Sequence, residues 1–395
     1  MTILEREAKV FFPTYKRIPL EIDHGEGVYL YSKDGHRFLD LFGGLAVNTL
    51  GYNHPRVIGA IERQMKRYIH LSNYYLQDTQ IELAERLVKA SGYNKVFLSN
   101  SGTEAIEGAL KIARKWGKDK KKSLVVSFTN AFHGRTMGAL STMDREKYRA
   151  DFEPFLPGFV CIPFNDLQAL RRTVNEETLA VMLEFIQGEG GINIATTEFV
   201  NELQQLRQKF DFLIIADEIQ AGLGRTGKLF AFQHYNIRPD IVTVAKPLGG
   251  GLPLGAILGS ERVAEVLHYG VHGTTFGGNP VACAAGTVVL EEIMNNSLVR
   301  NVREVGEYFI EQLRLLQREF SQIIADVRGK GLMIGVELTR EGDSIVEKMR
   351  EEEVLINCTN HTVLRFLPAL IITKAHVDDG VRALRKVLSL LTPSV

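Results

Sequence analysis

The feature that most constrains this chain's fold is a repeated exchange between two hydrophobic periods. From about residue 95, short apolar runs alternate with stretches in which apolar residues recur every three or four positions. Lys95-Val-Phe-Leu-Ser99 reads as a buried strand. Thr103 to Trp116 follows with Ile106, Ala109, Leu110, Ala113 and Trp116 at helical spacing. Ser123–Phe128, Leu179–Phe185, Phe212–Asp217, Asp240–Ala245 and Leu254–Gly259 read as further strands, with a helix over Thr197–Lys209 among them. Strands too apolar to face water, separated by helices, predict an α/β fold: a mostly parallel sheet covered by helices on both faces.

The C-terminal part carries a different pattern. One long helix over Arg300–Phe320 precedes strand-like Gly331–Leu338, a helix near Ser344–Glu352, strand-like Val354–Cys358 and Val363–Phe366, and a last helix from about Lys374. This predicts a smaller α+β domain beside the large one. The expected division is 51–295 for the large domain, with 1–50 and 296–395 together forming the small one.

Charge and composition narrow the function classes. The chain has 395 residues, and 47 Lys plus Arg balance 47 Asp plus Glu, which argues against a dedicated nucleic-acid binder. No apolar run approaches the roughly 18 residues of a membrane span. The N-terminus mixes charge with apolar residues and shows no leader-like core. Three widely spaced cysteines, Cys161, Cys283 and Cys358, form no paired motif, so a reducing cytoplasm is expected. The histidines show no H-E-x-x-H spacing, so no metal site is expected.

Ligands of open α/β sheets gather beyond the carboxyl ends of the strands. Three such ends stand out. Asn100-Ser-Gly-Thr103 leads from a strand into a helix, where backbone amides and hydroxyls can meet an anion; a plain helix cap reads equally well. Asp217 ends a very apolar strand, where a carboxylate needs a cation or strong donor unless it merely caps the next turn. Lys246 emerges from the largely apolar run Ile241-Val-Thr-Val-Ala245 into Pro247-Leu-Gly-Gly-Gly251. Desolvation there would free its amine as a nucleophile, although a lysine reaching out to solvent is the plainer reading. Gly222-Leu-Gly-Arg-Thr-Gly-Lys228 matches two nucleotide-binding patterns. However, Leu229 stands where a P-loop needs Ser or Thr, and four residues separate the first glycine from Asp217.

Together these segments resemble the class III (ω-amino) aminotransferases, which are fold-type I pyridoxal-phosphate enzymes. The likeness runs from Thr14-Tyr-Lys-Arg17 to Val363-Leu-Arg-Phe-Leu-Pro368. It includes Asn100-Ser-Gly-Thr-Glu-Ala105, Phe132-His-Gly-Arg-Thr136, Gln187-Gly-Glu-Gly-Gly191, Asp217-Glu-Ile-Gln220, Gly224-Arg-Thr-Gly227, Ala245-Lys246 and Thr274-Thr-Phe-Gly-Gly-Asn-Pro280. The Phe-His-Gly-Arg-Thr segment and Arg328-Gly-Lys-Gly-Leu-Met-Ile-Gly335 incline it toward members that act on acetylornithine.

The resemblance implies pyridoxal 5′-phosphate as cofactor and a homodimer with shared active sites. Lys246 would hold the cofactor and move the proton, with Asp217 on its ring nitrogen, Gln220 at its ring hydroxyl and Phe132 on its face. His133 and Glu184 would belong to the same pocket. Ser101, Gly102 and Thr103 would bind the phosphate, with Thr275 supplied by the neighbouring subunit. Arg135 and Thr274 would hold acetylornithine. Arg365 would take the α-carboxylate of glutamate or 2-oxoglutarate, with Glu189 as its movable mask. Related ω-amines, namely succinylornithine, carrier-bound lysine-pathway intermediates, ornithine and 4-aminobutyrate, suit much of the same pattern. An aminomutase, or a nucleotide-binding protein using Gly222–Lys228, is the rival reading. Four positions depart from the family: Phe185 replaces a proline, Ile106 and Ala221 stand where polar residues are common, and Pro247 follows the lysine.

Overall fold

A computed structural model describes residues 2–391. Its central feature is a seven-stranded sheet, in spatial order Lys95–Ser99, Gly255–Gly259, Ile241–Val244, Leu213–Asp217, Thr178–Leu183, Leu124–Phe128 and Phe159–Ile162. Gly255–Gly259 runs antiparallel to both neighbours; every other pairing is parallel. The mostly parallel expectation therefore holds, with one reversed strand next to the edge.

Both faces are buried, and the period of two divides each strand between two cores. From Leu213–Asp217, Ile214 and Ala216 join the larger core, whereas Leu213 and Ile215 join a second core on the opposite face. The helix Gly102–Gly117 closes that second face with Ala105, Ile106, Ala109, Leu110 and Ala113. Ile106 is fully buried there and Ala221 is buried in the other core, so these two family departures fill apolar space.

A third core is assembled from both ends of the chain. Val28, Leu39 and Leu41 pack with residues of the helix Asn296–Glu319, the strands beyond it and the last helix, Lys374–Ser389. Ile22–Glu26, Tyr29–Ser32 and Arg37–Asp40 form one sheet with Val354–Leu355, which pairs parallel to Arg37–Asp40. A second small sheet orders Ile324–Lys330, Met333–Leu338, Val363–Phe366 and Asn357–Thr359.

Two expectations need correction here. The single strand read over Val354–Cys358 is two, because the chain changes sheets at Ile356. Ile324–Lys330 was not apparent as a strand because its run Asp326-Val-Arg-Gly-Lys330 breaks the apolar pattern and its pairing is irregular between Ile324 and Asp326.

Candidate active site

The carboxyl ends of the parallel strands converge on a cavity of about 430 Å³. Its wall includes eleven of the residues singled out from sequence: Ser101, Gly102, Thr103, Phe132, His133, Arg135, Glu184, Glu189, Asp217, Gln220 and Lys246. Each lies on or just beyond the end of a strand, or on a loop that such an end starts.

At the strand end of Leu213–Asp217, Asp217 is buried and meets a donor. His133 Nδ1 lies 2.7 Å from Asp217 Oδ2, and the Ile219 amide donates to Oδ1 at 3.0 Å. Burial opposes a charged His133, but the bond to Asp217 and its charge outweigh that, and the ring pKa is raised. The other ring nitrogen, Nε2, is buried without a hydrogen-bond partner. Nearby, Glu184 accepts from the Phe132 and Gly188 amides, both at 3.0 Å. Burial, reinforced by the Asp217 charge, pushes its carboxyl up to about 7.

Lys246 sits in a left-handed conformation, φ 36°, immediately before Pro247, which opens the short turn Lys246–Gly249. That backbone is costly for a residue with a side chain. Its ammonium makes no hydrogen bond or ion pair among the described residues. Removal from water brings its pKa down to about 8, with Arg365 acting in the same direction and Glu189, Glu184 and Asp217 opposing.

At the helix start, Ser101 caps through the Glu104 amide at 3.3 Å, and Thr103 bonds Thr136, Oγ1 to Oγ1, at 3.0 Å. The first amides of any helix lack internal acceptors and favour an anion. A Cβ on Gly102 would fall 2.8 Å from Ile219 Cδ1, so glycine permits this close approach of helix start and loop.

Two arginines stand in contrast. Arg135 is exposed on the cavity wall, stacks 4.0 Å over the Tyr148 ring, and has no carboxylate or hydrogen-bond acceptor among the described residues. Arg365 lies behind the wall and is wholly buried. Its Nη1 donates to Glu189 Oε1 at 2.6 Å and to Gln220 Oε1 at 3.3 Å, and its Nε donates to Asn357 Oδ1 at 3.2 Å. Burial works against charge on Glu189, but Arg365 and Lys246 prevail and hold its carboxyl below the ordinary range.

Thr274 and Thr275 do not reach the wall of this cavity. Thr274 is tied to it through Asn100, whose Nδ2 donates to Thr274 Oγ1 at 3.1 Å, and Thr275 is exposed. Sequence reading missed Tyr148, Asn357 and Thr359; their significance comes from partners that only the fold brings to them, Arg135, Arg365 and the Glu189 carbonyl.

The glycine loop does something else. Arg225 is buried and donates to the Leu332 and Pro368 carbonyls, and Lys228 donates to the Gln233 carbonyl. Glu218 is bonded to the Ala231 and Phe232 amides at 2.8 and 2.9 Å. These bonds make Gly222–Lys228 a structural turn, and no α-helix starts at its end as a phosphate loop requires.

Comparison with known proteins agrees with this geometry. Residues 11–388 match the family described as aminotransferase class-III. Acetylornithine aminotransferase of Aquifex aeolicus is 46% identical over 377 residues, 95% of this chain and 98% of that protein. N-acetylornithine aminotransferase from Stenotrophomonas maltophilia superposes with a TM-score of 0.84 at 34% identity, covering 95% of this chain and 97% of that one. Ornithine aminotransferase from Toxoplasma gondii, whose active site is partly occupied by PLP, superposes with a TM-score of 0.93 at 33% identity, covering 98% and 93%.

Proposed function

The chain belongs to the class-III aminotransferases, and from that premise we propose that it moves the ω-amino group of N2-acetyl-L-ornithine to 2-oxoglutarate, in either direction. The cofactor is pyridoxal 5′-phosphate, and the residues present suit it. An amine of lowered pKa with no hydrogen-bond partner among the described residues, a helix start for a phosphate and a buried carboxylate for a ring nitrogen share one cavity. When bound, the cofactor supplies the carbonyl that takes up amines and an electron-withdrawing ring.

The protein's own groups divide the remaining work. Lys246 would hold the cofactor and carry a proton on Nζ. Asp217, kept in place by His133, would meet the ring nitrogen. Phe132, Gln220 and Glu184 would hold the ring, and Ser101, Gly102 and Thr103 would take the phosphate, with the partner subunit's Thr275. The observation that carries the substrate reading is the pair of unlike arginines. Arg135, without a carboxylate partner among the described residues, suits the carboxylate of the acylated donor, which Thr274 would also contact, while Arg365 is masked by Glu189 until a dicarboxylate takes its place. One site can thereby accept an ω-amine and an α-keto acid in turn.

The same reading makes the enzyme a cytoplasmic homodimer with a large domain over 51–295 and a small one from 1–50 and 296–395. What supports that division is the separate core shared by the two ends of the chain. Residues 1 and 392–395 lie outside the described residues.

The test is glutamate formation by the cofactor-loaded protein from acetylornithine and 2-oxoglutarate. Parallel double-reciprocal lines support an alternating use of one site. No glutamate above the enzyme-free blank overturns the assignment.

A further inference from the structure

Glu189 and Arg365 come from distant parts of the chain, yet one three-residue strand, Asn357–Thr359, touches both. Asn357 lies opposite Arg365 in the antiparallel pairing and accepts from its Nε–H at 3.2 Å. Two residues on, and so on the same face of the strand, buried Thr359 donates its hydroxyl to the Glu189 carbonyl at 2.7 Å. Arg145 Nη1 donates to that same carbonyl at 3.0 Å, which occupies both of its lone pairs. Arg328 holds the next part of the loop through the Gly191 carbonyl, at 3.0 and 2.6 Å.

The Glu189 peptide is therefore fixed while its carboxylate, at the end of a flexible side chain, sits on Arg365 at 2.6 Å. A buried ion pair depends on good geometry to offset the cost of desolvating both charges. A backbone free to shift would lengthen or tilt the pair. From this we infer that Thr359 is a positioning residue for the keto-acid site: its hydroxyl sets how firmly Glu189 masks Arg365, and so how easily a dicarboxylate enters. The inference rests on the masking role proposed above.

Binding of glutarate, a dicarboxylate with no amine or keto group to react, tests it by calorimetry on the cofactor-loaded protein. Removing the hydroxyl in Thr359→Val weakens the mask. The glutarate Kd then falls about three- to tenfold, the net worth of one hydrogen bond. Thr359→Ser restores the wild-type Kd, and Thr359→Ala replaces the valine variant if the latter does not fold. N-acetylnorvaline, which offers Arg135 an acylated α-carboxylate, keeps its affinity in all three variants. General damage to the pocket would weaken both ligands and cannot tighten one of them. Glu189→Ala serves as the control and tightens glutarate at least as much. Unchanged or weaker glutarate binding in the valine variant, beside tighter binding in Glu189→Ala, overturns the inference. Unchanged binding in Glu189→Ala refutes the masking itself instead.

Discussion

At the scale of single residues, the chemistry rests on groups held in states they would not keep in water. Lys246 is one. Its pKa is lowered to about 8 by removal from water, so its neutral, nucleophilic form dominates above that pH rather than above about 10 as in a free lysine. Capture of pyridoxal phosphate by the cofactor-free protein, followed by visible absorbance, is expected to speed up as pH rises through about 8. A midpoint two units higher would contradict the desolvated amine. Glu189 is another. With Glu189→Ala, Arg365 loses its carboxylate, and selectivity should move toward α-amino donors such as glutamate; unchanged ratios of kcat/KM would refute the mask. Lys246 and Asp217 were legible in sequence because each ends a run of apolar residues, where charge is conspicuous. Tyr148, Asn357 and Thr359 were not, since nothing in their own segments announces an arginine folded back on them or, for Thr359, a carbonyl more than a hundred residues distant.

At the scale of elements, the inner strands of the large sheet could be read to within a residue or two because they are buried on both faces, which makes them largely apolar. Among the strands that escaped notice, Ile22–Glu26, Phe159–Ile162 and Ile324–Lys330 are partly exposed, so their patterns are diluted. Turns carry hidden requirements as well. Gly331 has φ 57°, and a Cβ there would fall 2.6 Å from the Thr226 carbonyl carbon, against the loop that Arg225 fastens. Gly331→Ala should cost on the order of 1–3 kcal/mol from backbone strain alone. A lowered urea midpoint would register this, and an unchanged midpoint would mean that the turn relaxes freely. Pro247 belongs to this scale too: a departure from the family in sequence, it opens the short turn that presents Lys246.

At the scale of the whole molecule, one chain leaves work for a second. Tyr74 is 98% exposed, Leu76 91% and Phe276, next to Thr275, 59%, an unusual outlay of apolar surface. The proposed homodimer would cover it and deliver Thr275 to the neighbouring phosphate site. Leu76→Asp should therefore reduce the sedimenting mass toward that of one chain and weaken cofactor retention together; a stable dimer in that variant would remove this surface from the interface. The resemblance to known aminotransferases made the fold, the cofactor and the roles expected of Arg135, Arg365 and Glu189 readable from sequence, but the contacts that hold Glu189 on Arg365 emerged only in three dimensions.

The most direct measurement of the central claim is the visible spectrum of the purified, cofactor-loaded protein through one catalytic cycle. The account predicts that the cofactor band bleaches on adding N2-acetylornithine and returns on adding 2-oxoglutarate. A band untouched by acetylornithine but bleached by another amine would contradict the proposed substrate.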